Sequence, residues 1–251
     1  MMDRRDWIPV APAWERDPED KDIWRRVVRM PSLALNRAEQ EFLGNIAGKQ
    51  VCVLSVGDGM APLALATLGG RVTVVDSTAT TLDVLVVRTQ VVGVDMEYAQ
   101  IELSDLSPIP AERFQIVYAA QTAGLMSDLL GFYSHIFRIL APGGRFIINE
   151  YHPFRRIWKA APGPARLAHS YFERRREHCE PEDQDPDPAS PGIAFSRYRF
   201  HWTVSDYCSA LIDSGFRIVG LEEVGDTRQA WELPNLGGLP EQLVVAADKP
   251  A

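Results

Sequence analysis

Short apolar runs alternate along this chain with segments whose apolar residues recur every three or four positions. Runs of the first kind begin near positions 51, 71, 114 and 145, and segments of the second kind fill the intervals between them. Apolar runs of this length are typical of parallel strands that are covered on both faces. The alternation therefore predicts an α/β fold in which a doubly wound sheet lies between two layers of helices.

Turn and cap residues give the predicted bounds of these elements. Pro31 stops a first helix, Ser32 and Ser205 are read as helix caps, and Gly93 and Gly215 end helices. The predicted helices cover 22–30, 32–46, 60–68, 78–91, 128–140 and 206–214. The predicted strands cover 51–56, 71–76, 96–103, 114–120, 145–150, 195–203, 216–221 and 242–248.

The stretch from position 51 to position 76 carries the first chemical signal. A buried strand leads into a turn with Gly57 and Gly59, and a helix then begins near Met60. Glycines permit a tight turn and close approach of a ligand, and the first turn of the helix presents free N–H groups. The next strand ends at Asp76, which is placed to accept hydrogen bonds from two ribose hydroxyls. The order of these parts indicates a cofactor that contains a nucleoside.

Three motifs resemble those of class I S-adenosylmethionine-dependent methyltransferases. They are Val53-Leu-Ser-Val-Gly-Asp-Gly59, Val74-Val-Asp-Ser77, and the helix, Pro-Gly-Gly turn and strand across 128–150. Two residues depart from the family pattern. Ser55 stands where the family usually has an acid that contacts the methionine amine, and Asp58 is the candidate to make that contact instead. Ala61 stands where a third glycine is common.

The resemblance implies a Rossmann-like sheet of seven strands in the order 3-2-1-4-5-7-6, with the last strand antiparallel. It further implies an N-terminal helical cap at 1–48 and a core at 49–251, which includes a lid-like insertion after strand 5 at about 152–204. S-adenosyl-L-methionine is the implied cofactor and S-adenosyl-L-homocysteine the product. The implied cofactor-binding residues are Gly57, Asp58, Gly59, Met60, Asp76, Ser77, Ser104, Asp105, Leu106, Ala120 and Gln121.

Three side chains are candidates for chemistry near the transferred methyl group. Tyr151 and His152 directly follow the fifth strand, and His201 precedes the last core helix. A histidine there is suited to accept a proton from a hydroxyl or an amine near neutral pH. The alternative is that each histidine only fixes a loop by hydrogen bonding. For Asp105 the alternative is a turn aspartate.

Composition limits the partners. The formal net charge of −8 argues against a nucleic-acid backbone or an anionic membrane as the main partner. Cys52, Cys179 and Cys208 show neither zinc-site spacing nor a disulfide framework, which favours a reducing, cytoplasmic setting and no metal site. No apolar run is long enough to cross a bilayer.

The favoured function is therefore methyl transfer to an O, N or C nucleophile of a small molecule. One alternative is an NAD(P)-dependent oxidoreductase, which shares the first turn and Asp76. Against it, the chain has Ala61 rather than a third glycine and lacks a Tyr-x-x-x-Lys pair. A second alternative is a noncatalytic protein that uses the S-adenosylmethionine-binding fold structurally. The identity of the acceptor and the oligomeric state have no signal in the sequence.

Overall fold

The computed structural model describes residues 23–158, 166–174, 176–179, 197–225 and 238–251. Residues 1–22 of the predicted N-terminal cap, and residues 159–165, 175 and 180–196 of the predicted insertion, lie outside these ranges. The core begins after two short helices, α1 (Ile23–Val27) and α2 (Arg37–Leu43), which are joined by a 3-10 turn at Pro31–Leu33.

Strands and helices then alternate as the hydrophobic pattern predicts. The order is β1 (Gln50–Leu54), α3 (Met60–Thr67), β2 (Arg71–Asp76), α4 (Ala79–Val92), β3 (Glu97–Gln100), β4 (Phe114–Ala120), α5 (Leu129–Ile139) and β5 (Leu140–Tyr151). A 3-10 turn, Pro153–Ile157, opens the insertion, which contains β6 (Arg176–Cys179) and β7 (Arg197–Phe200). The chain closes with α6 (Val204–Asp213), β8 (Arg217–Val224) and β9 (Gln242–Asp248).

Seven strands form the main sheet, in the order β3-β2-β1-β4-β5-β9-β8. Numbered within this sheet alone, the order is 3-2-1-4-5-7-6, which confirms the predicted topology. β1 to β5 are mutually parallel, and β9 runs antiparallel to both of its neighbours, β5 and β8. The carboxyl ends of β1 to β5 therefore meet at one edge, where open α/β sheets bind ligands.

The sheet separates two apolar clusters. One cluster lies between the sheet and α5 and α6, and its aromatic centre is formed by Tyr133 packed edge-on against Phe146. The other cluster lies on the opposite face and contains residues from α1, α2, α3 and α4. The cap helices thus share a core with the strands that carry the predicted site.

Two predicted helix starts are wrong. Asn36, not Ser32, caps α2, because its side chain accepts a hydrogen bond from the Glu39 backbone and Glu39 bonds back to the Asn36 N–H. In the same way Thr203, not Ser205, caps α6, in a reciprocal box with Asp206. Within the predicted insertion, β6 pairs antiparallel with β7.

Candidate functional site

The turn between β1 and α3 has the backbone that its glycines permit. Gly57 and Gly59 both have positive φ values, of 56° and 78°. A Cβ atom on Gly57 would meet nothing within 4 Å, whereas one on Gly59 would lie 3.1 Å from the Arg88 guanidinium. The turn is therefore open beside Gly57 and closed beside Gly59.

The predicted ribose acid, Asp76, also holds this turn together. Its Oδ2 accepts from the Val56 N–H at 2.8 Å and from the Ser55 hydroxyl at 3.3 Å, and its Oδ1 accepts from the Thr78 N–H at 2.8 Å. Asp76 is only 3% exposed. An acid at position 55 would place a second carboxylate against it, whereas a serine supplies a donor. The departure at Ser55 is thus matched to Asp76.

Asp58 has a structural task within the same turn. Its Oδ1 accepts from the Met60 N–H at 2.9 Å, which satisfies a free donor in the first turn of α3. Its carbonyl accepts from the Arg88 guanidinium, and the Arg88 side chain lies over the ring of Trp24 in the cap. Asp58 therefore ties the turn to α3 and α4.

The loop after β3 exposes two of the three predicted adenine-binding residues and buries the third. Ser104 and Asp105 are exposed, and Leu106 is fully buried in the core. The Asp105 carboxylate accepts from the Ser107 N–H at 3.0 Å, and hydrogen bonds from the Ser107 side chain and then from its backbone lower the pKa of Asp105. The geometry is that of an aspartate turn.

The ends of β4 and β5 are joined beside the predicted Ala120 and Gln121. Ala120 is in register with Asn149, and the Gln121 N–H donates to the Asn149 carbonyl at 2.8 Å. Gln121 has a φ of 56° and Ser55 a φ of 72°, both in the left-handed region that residues other than glycine seldom adopt. These two residues directly follow neighbouring strands, and such backbone conformations are common at ligand sites.

A buried polar network behind this edge was missed at the sequence level. Glu39 of α2 accepts from the Tyr118 hydroxyl of β4 at 2.6 Å and from the Asn149 amide of β5 at 2.8 Å. Glu39 stands in a short helix that reads as cap packing, and the capping-box pattern Asn36-x-x-Glu39 was its only signal. Nothing in the sequence indicates its long-range partners.

His152 is held at both ring nitrogens. Nδ1 accepts from the Phe154 N–H at 3.2 Å, and Nε2 lies 2.9 Å from the Glu223 carboxylate. Burial lowers the pKa of His152, and Glu223 only partly offsets this effect. The neighbouring Tyr151 is buried, with the Arg155 guanidinium over its ring. This geometry favours the loop-fixing alternative for His152.

His201 connects the insertion to the start of α6. Its Nε2 lies 2.8 Å from the Tyr171 carbonyl, and the Tyr171 hydroxyl accepts from the Val204 N–H at 3.1 Å. The His169 ring packs edge-on against His201 with a centroid separation of 5.4 Å. In a neutral His201 that donates through Nε2, the lone pair stays on Nδ1.

The structure therefore brings most of the predicted residues to one edge of the sheet. Strands whose carboxyl ends meet there end at, or are directly followed by, the glycine turn, Asp76, Ser77, Ala120, Gln121, Tyr151 and His152. Within the described residues, no three His, Cys, Asp or Glu side chains are grouped so as to hold a metal ion. None of the helices in that part of the chain is long and apolar enough to span a bilayer.

Comparison with known proteins identifies the domain. A family model described as a methyltransferase domain matches residues 53–148. The ubiquinone biosynthesis O-methyltransferase of Pseudomonas fluorescens (strain Pf0-1) is 28% identical over 136 residues, which is 54% of this chain and 56% of that protein. The chain thus spans about half the length of the curated relatives it matches.

Solved structures share the fold. An S-adenosylmethionine-dependent methyltransferase from Mesorhizobium loti superimposes with a TM-score of 0.64 at 22% identity, over 88% of this chain and 97% of that one. A putative S-adenosylmethionine-dependent methyltransferase from Listeria monocytogenes superimposes with a TM-score of 0.65 at 19% identity, over 84% of this chain and 96% of that one. These findings confirm the resemblance seen in the sequence.

Proposed function

Starting from a chain whose residues 53–148 form a methyltransferase domain, we propose that it transfers a methyl group from S-adenosylmethionine to a small molecule. The observation that carries this proposal is the open glycine turn held by Asp76 at the carboxyl edge of the sheet. When bound, the cofactor supplies a methyl group that its sulfonium already activates. The protein must then bind the cofactor and the acceptor, orient the acceptor toward the methyl group, and exclude water.

The residues at the sheet edge fit such a cofactor. Gly57 has no side chain, so the cofactor can approach its backbone closely. Asp76 has carboxylate oxygens that can accept hydrogen bonds from the ribose hydroxyls. Gly57, Asp58, Gly59 and Met60 would face the methionine end, Asp76 and Ser77 the ribose, and Ala120 and Gln121 the far side of the sulfur. Ser104, Asp105 and Leu106 would border the adenine.

The acceptor is proposed to be a small molecule that is methylated on oxygen. The relatives at 28% identity are named as ubiquinone biosynthesis O-methyltransferases, which supports an oxygen nucleophile. The formal net charge of −8 is unfavourable for a nucleic-acid acceptor. A hydroxyl must lose its proton, and a nearby base would assist that step.

His201 is the stronger candidate for this base. Its ring is held at Nε2 by the Tyr171 carbonyl at 2.8 Å, and an imidazole can take up a proton near neutral pH. His152 uses both nitrogens in contacts with Phe154 and Glu223 and is proposed to fix the loop after β5. Tyr151 is proposed to border the acceptor.

Calorimetric titration with S-adenosylmethionine, S-adenosylhomocysteine and NADH tests the cofactor. We expect micromolar binding of the first two ligands and none of NADH. Binding of NADH alone would refute the proposal in favour of an oxidoreductase. Release of S-adenosylhomocysteine, measured with a panel of phenols, catechols, amines and carbon acids, then tests transfer. Tight cofactor binding with no release from any acceptor would instead support a noncatalytic role.

A further inference from the structure

Helix α2 of the cap carries a carboxylate that is almost wholly buried. Glu39 is 1% exposed and accepts three hydrogen bonds, from the Tyr118 hydroxyl at 2.6 Å, the Asn149 amide at 2.8 Å and the Asn36 N–H at 2.6 Å. Since all three partners donate, they favour the ionised carboxylate over the acid. Burial acts against them and raises the pKa of Glu39.

This carboxylate has no counter-charge in the part of the chain that the structure describes. Its ordered contacts there are with a phenol, an amide and a backbone N–H, and none with lysine, arginine or histidine. Burying an ionised group without a cation nearby costs free energy, and a cation bound beside it would reduce that cost. The network is thus electrostatically suited to a cationic ligand.

The position of the network points to the same edge of the sheet. Asn149 is in register with Ala120, and its carbonyl receives the Gln121 N–H. Asn149 Oδ1 is buried and lacks a partner within the described structure. Tyr118 lies near enough to Asp58 of the glycine turn for that carboxylate to raise its pKa. Glu39 therefore bonds to β4 and β5 two residues before their carboxyl ends.

We propose that Glu39, acting through Asn149, positions the positively charged amine of the cofactor's methionine end. It takes the place of the acid that is absent at Ser55, and it comes from the cap rather than from β1. Glu39 is a positioning residue: it supplies negative charge and orients Asn149, whose free Oδ1 accepts from the ammonium group. This inference rests on the proposed function.

The test uses ligands that differ at the amine. Wild type, Glu39→Gln and the control Glu41→Gln are titrated calorimetrically with S-adenosylmethionine, S-adenosylhomocysteine and 5′-methylthioadenosine, which lacks the amino-acid portion. Glu41 lies on the same helix but is exposed and paired with Arg37. We expect Glu39→Gln to weaken the first two ligands by about tenfold and methylthioadenosine by less than about twofold. We expect Glu41→Gln to change none of them.

A structural role would give a different pattern. Equal weakening of all three ligands, or no weakening of any, would overturn the role of Glu39. Should Glu39→Gln not fold, the wild type with deaminated S-adenosylhomocysteine decides: affinity equal to that of S-adenosylhomocysteine would overturn the proposal, and about tenfold weaker binding would support it. Failure of the wild type to bind any of these ligands would refute the proposed function itself.

Discussion

Asp76 holds the glycine turn and is proposed to bind the ribose, and a single substitution tests both roles. Its carboxylate accepts hydrogen bonds from the backbone N–H groups of Val56 and Thr78. Asp76→Asn replaces one carboxylate oxygen by an NH₂ group, which would face one of these N–H donors and cannot accept from it. We expect a loss of about 1–3 kcal/mol in the free energy of unfolding, measured with urea, because a buried donor becomes unsatisfied. Calorimetry should show weaker S-adenosylmethionine binding, by about tenfold or more.

The matched control for Asp76 is Asp83→Asn, which changes an exposed aspartate on α4. It should leave both the unfolding free energy and the affinity unchanged. If Asp76→Asn lowered stability but kept full affinity in the folded protein, Asp76 would be a structural residue and the ribose would be bound elsewhere.

His201 is predicted to differ from His152 in its effect on turnover. Glutamine at position 201 keeps an N–H donor for the Tyr171 carbonyl but removes the basic nitrogen. With an acceptor identified by the release assay, His201→Gln should lower kcat by about 10²-fold or more and leave the dissociation constant of S-adenosylmethionine unchanged. A kcat equal to that of the wild type would make His201 a structural residue.

His152 is predicted to influence how stability depends on pH. Its pKa in the folded protein is lowered below the ordinary 6.5, so the unfolded chain binds the proton first as pH falls. The stability that the neutral His152 contributes is thus fully present above about pH 6.5 and is lost as pH falls below that value. His152→Asn keeps an acceptor for the Phe154 N–H but cannot titrate.

Urea unfolding of wild type and His152→Asn at pH 8 and pH 5.5 measures this contribution. We expect the wild type to be more stable at pH 8 and its advantage to shrink at pH 5.5. Other titrating groups are shared by the two proteins and cancel in the difference. An advantage that grows on acidification would mean that the folded protein stabilises the protonated ring instead.

At the scale of the element, α5 offers a test of core packing. Its residue Tyr133 is fully buried against Phe146, and its hydroxyl lacks a hydrogen-bond partner within the described structure. Tyr133→Phe removes that hydroxyl and keeps the ring contacts. We expect the free energy of unfolding to stay equal or to rise by about 1 kcal/mol, because an unsatisfied buried group is lost.

The contrasting variant is Tyr133→Ala, which leaves a cavity and should lower the free energy of unfolding by about 3–5 kcal/mol. Both variants keep the residues of the proposed site, so both should bind S-adenosylmethionine when folded. A loss of more than about 1 kcal/mol in Tyr133→Phe would show that the hydroxyl has a partner, such as an ordered water.

The elements themselves were largely predictable because periodicity reports burial directly. β2 and β9 have the predicted bounds, and α5 follows its apolar spacing within one residue at each end. The two wrong caps have a local cause. Ser32 and Asn36, like Ser205 and Thr203, are all competent caps, and the choice depends on the reciprocal bond to Glu39 or Asp206, which requires the helix to exist already.

Site residues were predictable only where the backbone defines them. Gly57, Gly59 and Asp76 follow from the strand–turn–helix pattern, because a tight turn at a strand end imposes its own residue types. The contacts between Glu39 and Tyr118 or Asn149 join residues that are 79 and 110 positions apart. No local pattern encodes such a pairing. It arises only when the cap packs onto the sheet.

At the scale of the whole molecule, the cap and the sheet are joined by both apolar and polar contacts. Cap residues share an apolar cluster with β1, β2 and β4, and Asn36 donates to Gln242 of β9 at 3.1 Å. Glu39 adds a connection from α2 to the strand ends of the proposed site. Binding at that edge should therefore be felt in the cap, through a contiguous set of contacts.

Hydrogen–deuterium exchange measures this coupling. We expect S-adenosylhomocysteine to slow exchange at 55–60 and 76–78, which border the ligand, and also at 37–43 in α2, because a bound cation stabilises the Glu39 network. In Glu39→Gln at saturating ligand, protection at 76–78 should remain while the added protection at 37–43 is lost. Unchanged exchange at 37–43 in the wild type would contradict coupling between the cap and the site. Ligand-induced protection at 37–43 that persists in Glu39→Gln would mean that the apolar cluster, rather than the buried carboxylate, carries the coupling.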